Sequence, residues 1–376
     1  MAERREAEEH PRTGEEELRV TTLELFFDLM FVFTLTQLTA LLARDPSGPT
    51  AFRVVLVFVV LFWMYGGYVW LTNQVPPDRT TRRLLVLVGM AGFLVCALAI
   101  PEVFDGTGVA FGLGYLLVIL VHLALYAQVA GIRVVARFAP FNVIAAGIVT
   151  GAGFLDGPAA YVLWLGAIAI LFVTPRIAGR VGPDFAIRPG HFVERHGLLL
   201  IVAFGESVVA IGIGIGGVDV DLGLFAAAIL GLALAGALWW TYFVGDEEGA
   251  HGSMARASPA ERFPLAINAY FFAFIPMLLG IVAVAAGVKL TIGHIAERLE
   301  LGPALALGGG VAMILAGDVA FRTVMRLRPR AFRAAGAILA LATVPLGLSA
   351  PAGWQLMALV AVVAGTITVE ARWASR

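Results

Sequence analysis

From residue 22 to residue 370 the chain is a succession of apolar runs, most of them of membrane-spanning length, parted by short polar breaks. A helix needs about 20 apolar residues to cross the hydrocarbon core. The runs lie near 22–55, 81–101, 109–131, 138–154, 158–175, 196–217, 222–244, 264–288, 303–325, 332–348 and 351–370. The first divides at the turn-rich stretch from Arg44 to Pro49, giving helices near 22–43 and 51–72 and about twelve spans in all. The chain is therefore expected to be an all-α integral membrane protein. Its composition agrees: 60% hydrophobic and 14% charged, against about 45–50% and about 25% in a soluble domain. The longest loops, 176–195 and 245–263, leave no room for a water-soluble domain.

A net charge of −1 provides no global field for nucleic acid or acidic substrates. The lone Cys96 excludes an internal disulfide. Residues 1–20, rich in Glu and Arg, read as a disordered cytosolic tail. They are no secretory signal, because the apolar run that follows is too long and contains acids. Arginines fall in alternate loops: Arg79, Arg82 and Arg83, then Arg133 and Arg137, then Arg176, Arg180 and Arg188, then Arg256 and Arg262, then Arg322 to Arg333. The intervening loops are assigned Arg44, Lys289 and Arg298 alongside several acids. The positive-inside rule then places both termini in the cytoplasm of a bacterial cell membrane. Trp63, Tyr65, Trp70, Trp239, Trp240 and Tyr242 fall at the cytoplasmic helix ends, as an interfacial belt would.

The two halves read as parallel six-helix repeats, 21–190 and 191–376. Glu24 and Glu194 open matching helices, and Trp63 and Trp239 end the next pair. Arg133, Arg137, Leu155, Pro158, Tyr161 and Leu163 match Arg326, Arg330, Leu348, Pro351, Trp354 and Leu356 at one constant offset. An even number of spans per half relates such repeats by an axis along the membrane normal.

Acids inside spans cost about 2.5–3.5 kcal/mol each on insertion scales, so each is a functional candidate. Glu24 and Asp28, four apart, share a face and are expected to reach the interface or to pair with Arg79 or Arg195. A helix N-terminal charge or a structural salt bridge is the other reading. Glu206, beside Ser207, falls mid-span, and the neighbouring glycines at 205, 212, 214, 216 and 217 are expected to permit close backbone approach or a break. Asp318 has Arg322 at i+4, a structural pair or a functional one. His122 is central in the fourth span, as a packing residue or a proton relay.

No residue pattern calls for a cofactor or metal. His191 and His196, five apart on a helix, do not share a face, and neither a nucleophile elbow nor a phosphate loop occurs. The loop Asp78-Arg79-Thr80-Thr81-Arg82-Arg83 is loosely similar to a cytosolic loop of the major facilitator superfamily but lacks its glycine.

The segments LELFFDLMFVFTLTQLT (23–39), HFVERHGLLLIVAFGESVVAIG (191–212) and LWWTYF (238–243) resemble the bacterial low temperature requirement protein A (LtrA) family. That resemblance implies a multi-pass membrane protein linked to growth in the cold. Its signature positions fall here on Glu24, Phe27, Asp28, Gln37, Glu194, Gly205 and Glu206. The stretch around His122 departs from the family, in which an arginine is expected on that helix.

The expected function is secondary transport of a small solute or ion coupled through intramembrane carboxylates, with no enzyme activity and no nucleic-acid partner. The candidate binding residues are Glu24, Asp28, Glu194, Glu206, Ser207, Asp318 and His122. Two alternatives stay open: a cation channel lined by the first helix of each repeat, and a non-transporting membrane protein linked to cold adaptation.

Overall fold

The computed structural model describes residues 20–74, 77–177, 187–214 and 221–375. The N-terminal tail, the loop around Arg180 and residues Gly216 to Asp219 lie outside the described residues. Within them, 12 helical segments are long and apolar enough to cross a membrane. No strand forms among the described residues, only an isolated bridge between Arg298 and Pro351.

The first half runs through α1 (Thr22–Arg44), α2 (Gly48–Gln74), α3 (Thr80–Ala99), α4 (Gly108–Ala130), α5 (Ile132–Ala152) and α6 (Pro158–Ile177). The second half runs through α7 (Pro189–Gly214), α8 (Leu222–Phe243), α9 (Asp246–Arg256) and α10 (Pro259–Ala266). A π-helical turn, Ile267–Ala273, joins α10 to α11 (Phe274–Thr291). Then come α12 (Leu301–Val324), α13 (Ala331–Ala342), α14 (Val344–Ser349) and α15 (Ala352–Ala374).

Local chemistry sets the helix ends. Thr21 caps α1, and Glu24 returns the bond to the Thr21 backbone N–H at 2.8 Å, which satisfies two otherwise orphaned donors. Asp45 closes α1; hydroxyls of Thr50 and Ser47 donate to its carboxylate and hold it below the usual range. The last long helix of each half starts at a proline, Pro158 for α6 and Pro351 at the cap of α15. Proline fits there because no intrahelical N–H is needed.

Helices α1 and α7 pack on each other at the centre. Around them α1 packs on α2 and α3, α3 on α4, α4 on α5, α5 on α6 and α6 on α2. Likewise α7 packs on α8 and α11, α11 on α12, α12 on α13, α13 on α15 and α15 on α8. Glycines set two of these crossings. A Cβ at Gly92 would lie 2.9 Å from the Gly114 carbonyl, and one at Gly280 would lie 2.6 Å from the Gly310 carbonyl. Small residues at such contacts let backbones approach where lipid offers no hydrophobic drive.

Several expectations need correction. The stretch 245–263 is not a loop but holds α9 and the start of α10. Lys289 sits inside α11, and Arg322 and Arg333 inside α12 and α13, where long apolar stems carry a charge within a helix. The span expected at 332–348 is present as Ala331–Ser349 but is interrupted at Thr343, where α14 begins at Val344 with Pro345 in its first turn. The aromatic belt is only partly a belt: Trp239 and Trp240 are exposed, Trp63 and Trp70 half-buried, and Tyr65 and Tyr242 fully buried. Gly205 and Gly212 do not mediate close packing, since a Cβ at either would meet nothing within 4 Å.

Candidate functional site

The N-terminal turns of α1 place Glu24 and Asp28 one above the other, facing the second turn of α7. Arg195 projects from that turn between them. Its Nη1 donates to Glu24 Oε1 at 2.7 Å and its Nη2 to Asp28 Oδ1 at 2.7 Å. All three side chains are buried. Helix α2 completes the cage: Tyr65 Oη donates to Asp28 Oδ1 at 3.0 Å, and Thr72 Oγ1 accepts from Arg195 at 3.1 Å. His191, one turn before Arg195, places Nε2 3.3 Å from Glu24 Oε1. The Asn73 amide lies 3.3 Å from His191 Nδ1. An amide N–H donating there makes Nδ1 the acceptor and leaves the proton on Nε2, aimed at Glu24.

Two carboxylates thus share one guanidinium, with the His191 imidazole beside Glu24. Asp28 Oδ2 is the buried carboxylate oxygen left without a partner.

About three turns further along α7, the same helix pair makes a second polar contact. Thr36 Oγ1, on α1, donates to Glu206 Oε2 at 2.5 Å. Lys289, on α11, is close enough to act electrostatically on Glu206. Between the two stations Phe31, Leu35, Leu199 and Ala203 are fully buried.

The family model for bacterial low temperature requirement A protein (LtrA) matches residues 19–368. The chain belongs to the LtrA family. An uncharacterized protein of Rhizobium meliloti (strain 1021) is 28% identical over 319 residues, which cover 80% of this chain and 76% of that protein.

Other candidates in this LtrA protein fall elsewhere. Asp318 belongs to a second buried network, 3.6 Å from Arg322 and 3.2 Å from Arg333. Arg322 also holds Asp246 at 2.7 Å and pairs with Glu370, and Arg333 reaches Glu370 at 2.7 Å. Arg333 further donates to the Thr241 carbonyl at 3.1 Å, so this network ties α8, α9, α12, α13 and α15 together. The i+4 pair read from sequence is thus one edge of a larger brace.

Glu194 is exposed and takes no part in either network, although the residue after it supplies the central guanidinium. Ser207 is buried beside Glu206. His122 Nε2 donates to the Gly67 carbonyl at 3.1 Å, against Tyr68 and Tyr126. Arg79 is exposed, and beside it Asp78 pairs with Arg82 in the first turn of α3 at 3.0 Å. Sequence reading missed Tyr65, Thr72 and Asn73. The spacing of Tyr65, Thr72 and Asn73 on one helix was a usable signal, but their polar atoms are common in spans and only the fold turns them to the cluster.

Proposed function

We propose that this LtrA protein is a secondary carrier of a small solute or ion in the bacterial cell membrane, coupled to protons through the carboxylates at the α1–α7 contact. The observation that carries the reading is the Arg195 clamp, which sets two carboxylates against one guanidinium, on the same helix pair as the Glu206–Thr36 contact. A buried guanidinium flanked by two acids releases one when that acid takes a proton, which gives the helix pair two states of different charge. Buried residues separate the two polar stations, an arrangement that suits stepwise transfer more directly than an open conduit.

The repeat reading supports alternating access. Helix packing follows a similar circuit in the two halves, with α1 and α7 in contact between them, and a close glycine crossing joins α3 to α4 and α11 to α12. Two matching bundles that rock about an axis along the membrane normal are a known carrier architecture. In this reading both termini face the cytoplasm.

The test uses purified protein in liposomes loaded with a pH-sensitive dye. Amino acids, amines, sugars and monovalent cations are added singly under an imposed pH gradient. At least one should cause a saturable internal pH change, lost in Glu206→Gln and in Asp28→Asn at normal reconstitution levels. Unitary ionic currents in a planar bilayer would replace the carrier with a channel. No solute response at all, with intact protein, would leave a non-transporting role.

A further inference from the structure

A cavity of about 170 Å³ lies between the two halves, walled by α2, α4, α5 and α6 on one side and by α7, α10 and the π-helical turn on the other. An engineered cavity of about 150 Å³ in another protein accepts benzene, so this one is sized for a single aromatic ring with a small substituent. Its walls are aromatic faces, among them Trp63, Trp70, Tyr126, Phe138 and Phe271. Among the described residues no Asp, Glu, Lys or Arg lines it. Two consecutive glycines, Gly66 and Gly67, keep the α2 wall smooth; a Cβ at Gly67 would press on His122 at 3.2 Å. The π-helical turn supplies Tyr270 and Phe271. Such turns are rare and recur at functional sites.

Three polar side chains in the wall already have partners, and packing seals off the Tyr270 hydroxyl. Asn142 Oδ1 accepts from Trp63 Nε1 at 3.0 Å and its amide donates to the Phe138 carbonyl at 3.2 Å. Thr174 donates to the Ile170 carbonyl at 2.8 Å. Two histidines differ. His122 Nε2 lies 3.1 Å from the Gly67 carbonyl, and His196 Nδ1 lies 2.8 Å from the Phe192 carbonyl. A carbonyl only accepts, so each of those nitrogens carries the proton. The second nitrogen of each ring, His122 Nδ1 and His196 Nε2, is then a lone-pair acceptor. Neither is among the buried polar atoms that packing seals off without a partner.

We propose that this cavity binds a compact, uncharged aromatic molecule with one hydrogen-bond donor, of the phenol or indole class. The aromatic walls and the volume select the ring. The two imidazole acceptors select a donating O–H or N–H, since a buried polar group is stable only when hydrogen-bonded. A wall without a formal charge disfavours both anions and cations, which would enter without a counter-charge. The site stands apart from the carrier reading, because its occupancy is an equilibrium property that needs no flux.

The experiment titrates 4-fluorophenol against the full-length protein in lipid nanodiscs, read by ¹⁹F NMR, with empty nanodiscs as the partition control. 4-Fluoroanisole, which has lost only the donor, is the comparison. The phenol should bind saturably and at least tenfold more tightly than the anisole, because a site built around a hydrogen bond rejects the analogue that lacks it. Indole should displace the phenol and 1-methylindole should not. In a His122→Phe/His196→Phe variant the phenol-to-anisole ratio should fall to about one, while the anisole itself binds as before. Binding no greater than to empty nanodiscs, or equal displacement by both indoles, overturns the proposal. The displacement arm uses the unaltered protein and decides even if the double variant fails to fold.

Discussion

Arg195 cannot leave the α1–α7 contact without stranding two carboxylates. Removing one partner of a buried ion pair costs about 3–5 kcal/mol, whereas replacing the whole group by neutral residues is often close to neutral. Arg195→Met should therefore lower stability by about 3–5 kcal/mol, read as a fall in the thermal midpoint in detergent. The triple variant Glu24→Gln/Asp28→Asn/Arg195→Met should recover more than half of that loss. A triple variant as unstable as the single one would mean that Arg195 matters through packing alone. The acids of this site were legible in the sequence because carboxylates are rare inside apolar runs. Their cation was named only as one of two options, since nothing local distinguishes Arg195 from Arg79. Burial and the meeting of two distant helices make the choice. Glu194 shows the reverse error: its place at the start of an apolar run suggested equivalence to Glu24, but rotation by one residue turns it about 100° away from the contact.

Glycine content alone does not tell where helices approach. The glycines of α7 drew attention because they flank Glu206, yet Gly205 has open space where a Cβ would stand. Gly280 and Gly310, in less conspicuous sequence, touch each other's carbonyls. Gly205→Ala should accordingly be neutral or stabilise by up to about 1 kcal/mol, the helix propensity difference. Gly280→Ala and Gly310→Ala should each destabilise by about 1–3 kcal/mol, the usual range for overpacking. Thermal unfolding of the three variants in one detergent checks both signs, and the opposite order would mean that the α11–α12 crossing is looser than these contacts imply. Apolar length predicted the helices themselves well, because the bilayer imposes it on every span. The π-helical turn after α10 and the break at Thr343 were not legible, because each depends on how a proline-bearing segment is packed.

At the scale of the whole molecule, the charge asymmetry of the loops predicts a sidedness that the helix count supports with an even number. In a Cys96→Ala background, single cysteines at the exposed positions Asp105 and Glu261 should react with an impermeant thiol reagent from opposite sides of the membrane. Modification from one side only would require a different path for the helices between them. The constant offset between residues 133–163 and 326–356 is the sequence basis of the repeat reading. What the offset could not convey is how unlike the halves are in charge. The brace of Asp246, Asp318, Arg322, Arg333 and Glu370 fastens the second bundle, and the position matching Asp318 at that offset is the apolar Leu125.

The clamp also sets a condition on how the chain is made. Glu24 and Arg195 are 171 residues apart, and at about 5–20 residues per second the ribosome delivers the arginine roughly ten to thirty seconds after the glutamate. Through that interval α1 meets the insertion machinery with two acids and no guanidinium. Because both acids sit in the first two turns of the helix, that end can wait at the headgroup layer while the apolar remainder enters. The ion pair itself forms only once α7 has been made, so the acids of α1 precede the guanidinium that binds them by nearly half the length of the chain.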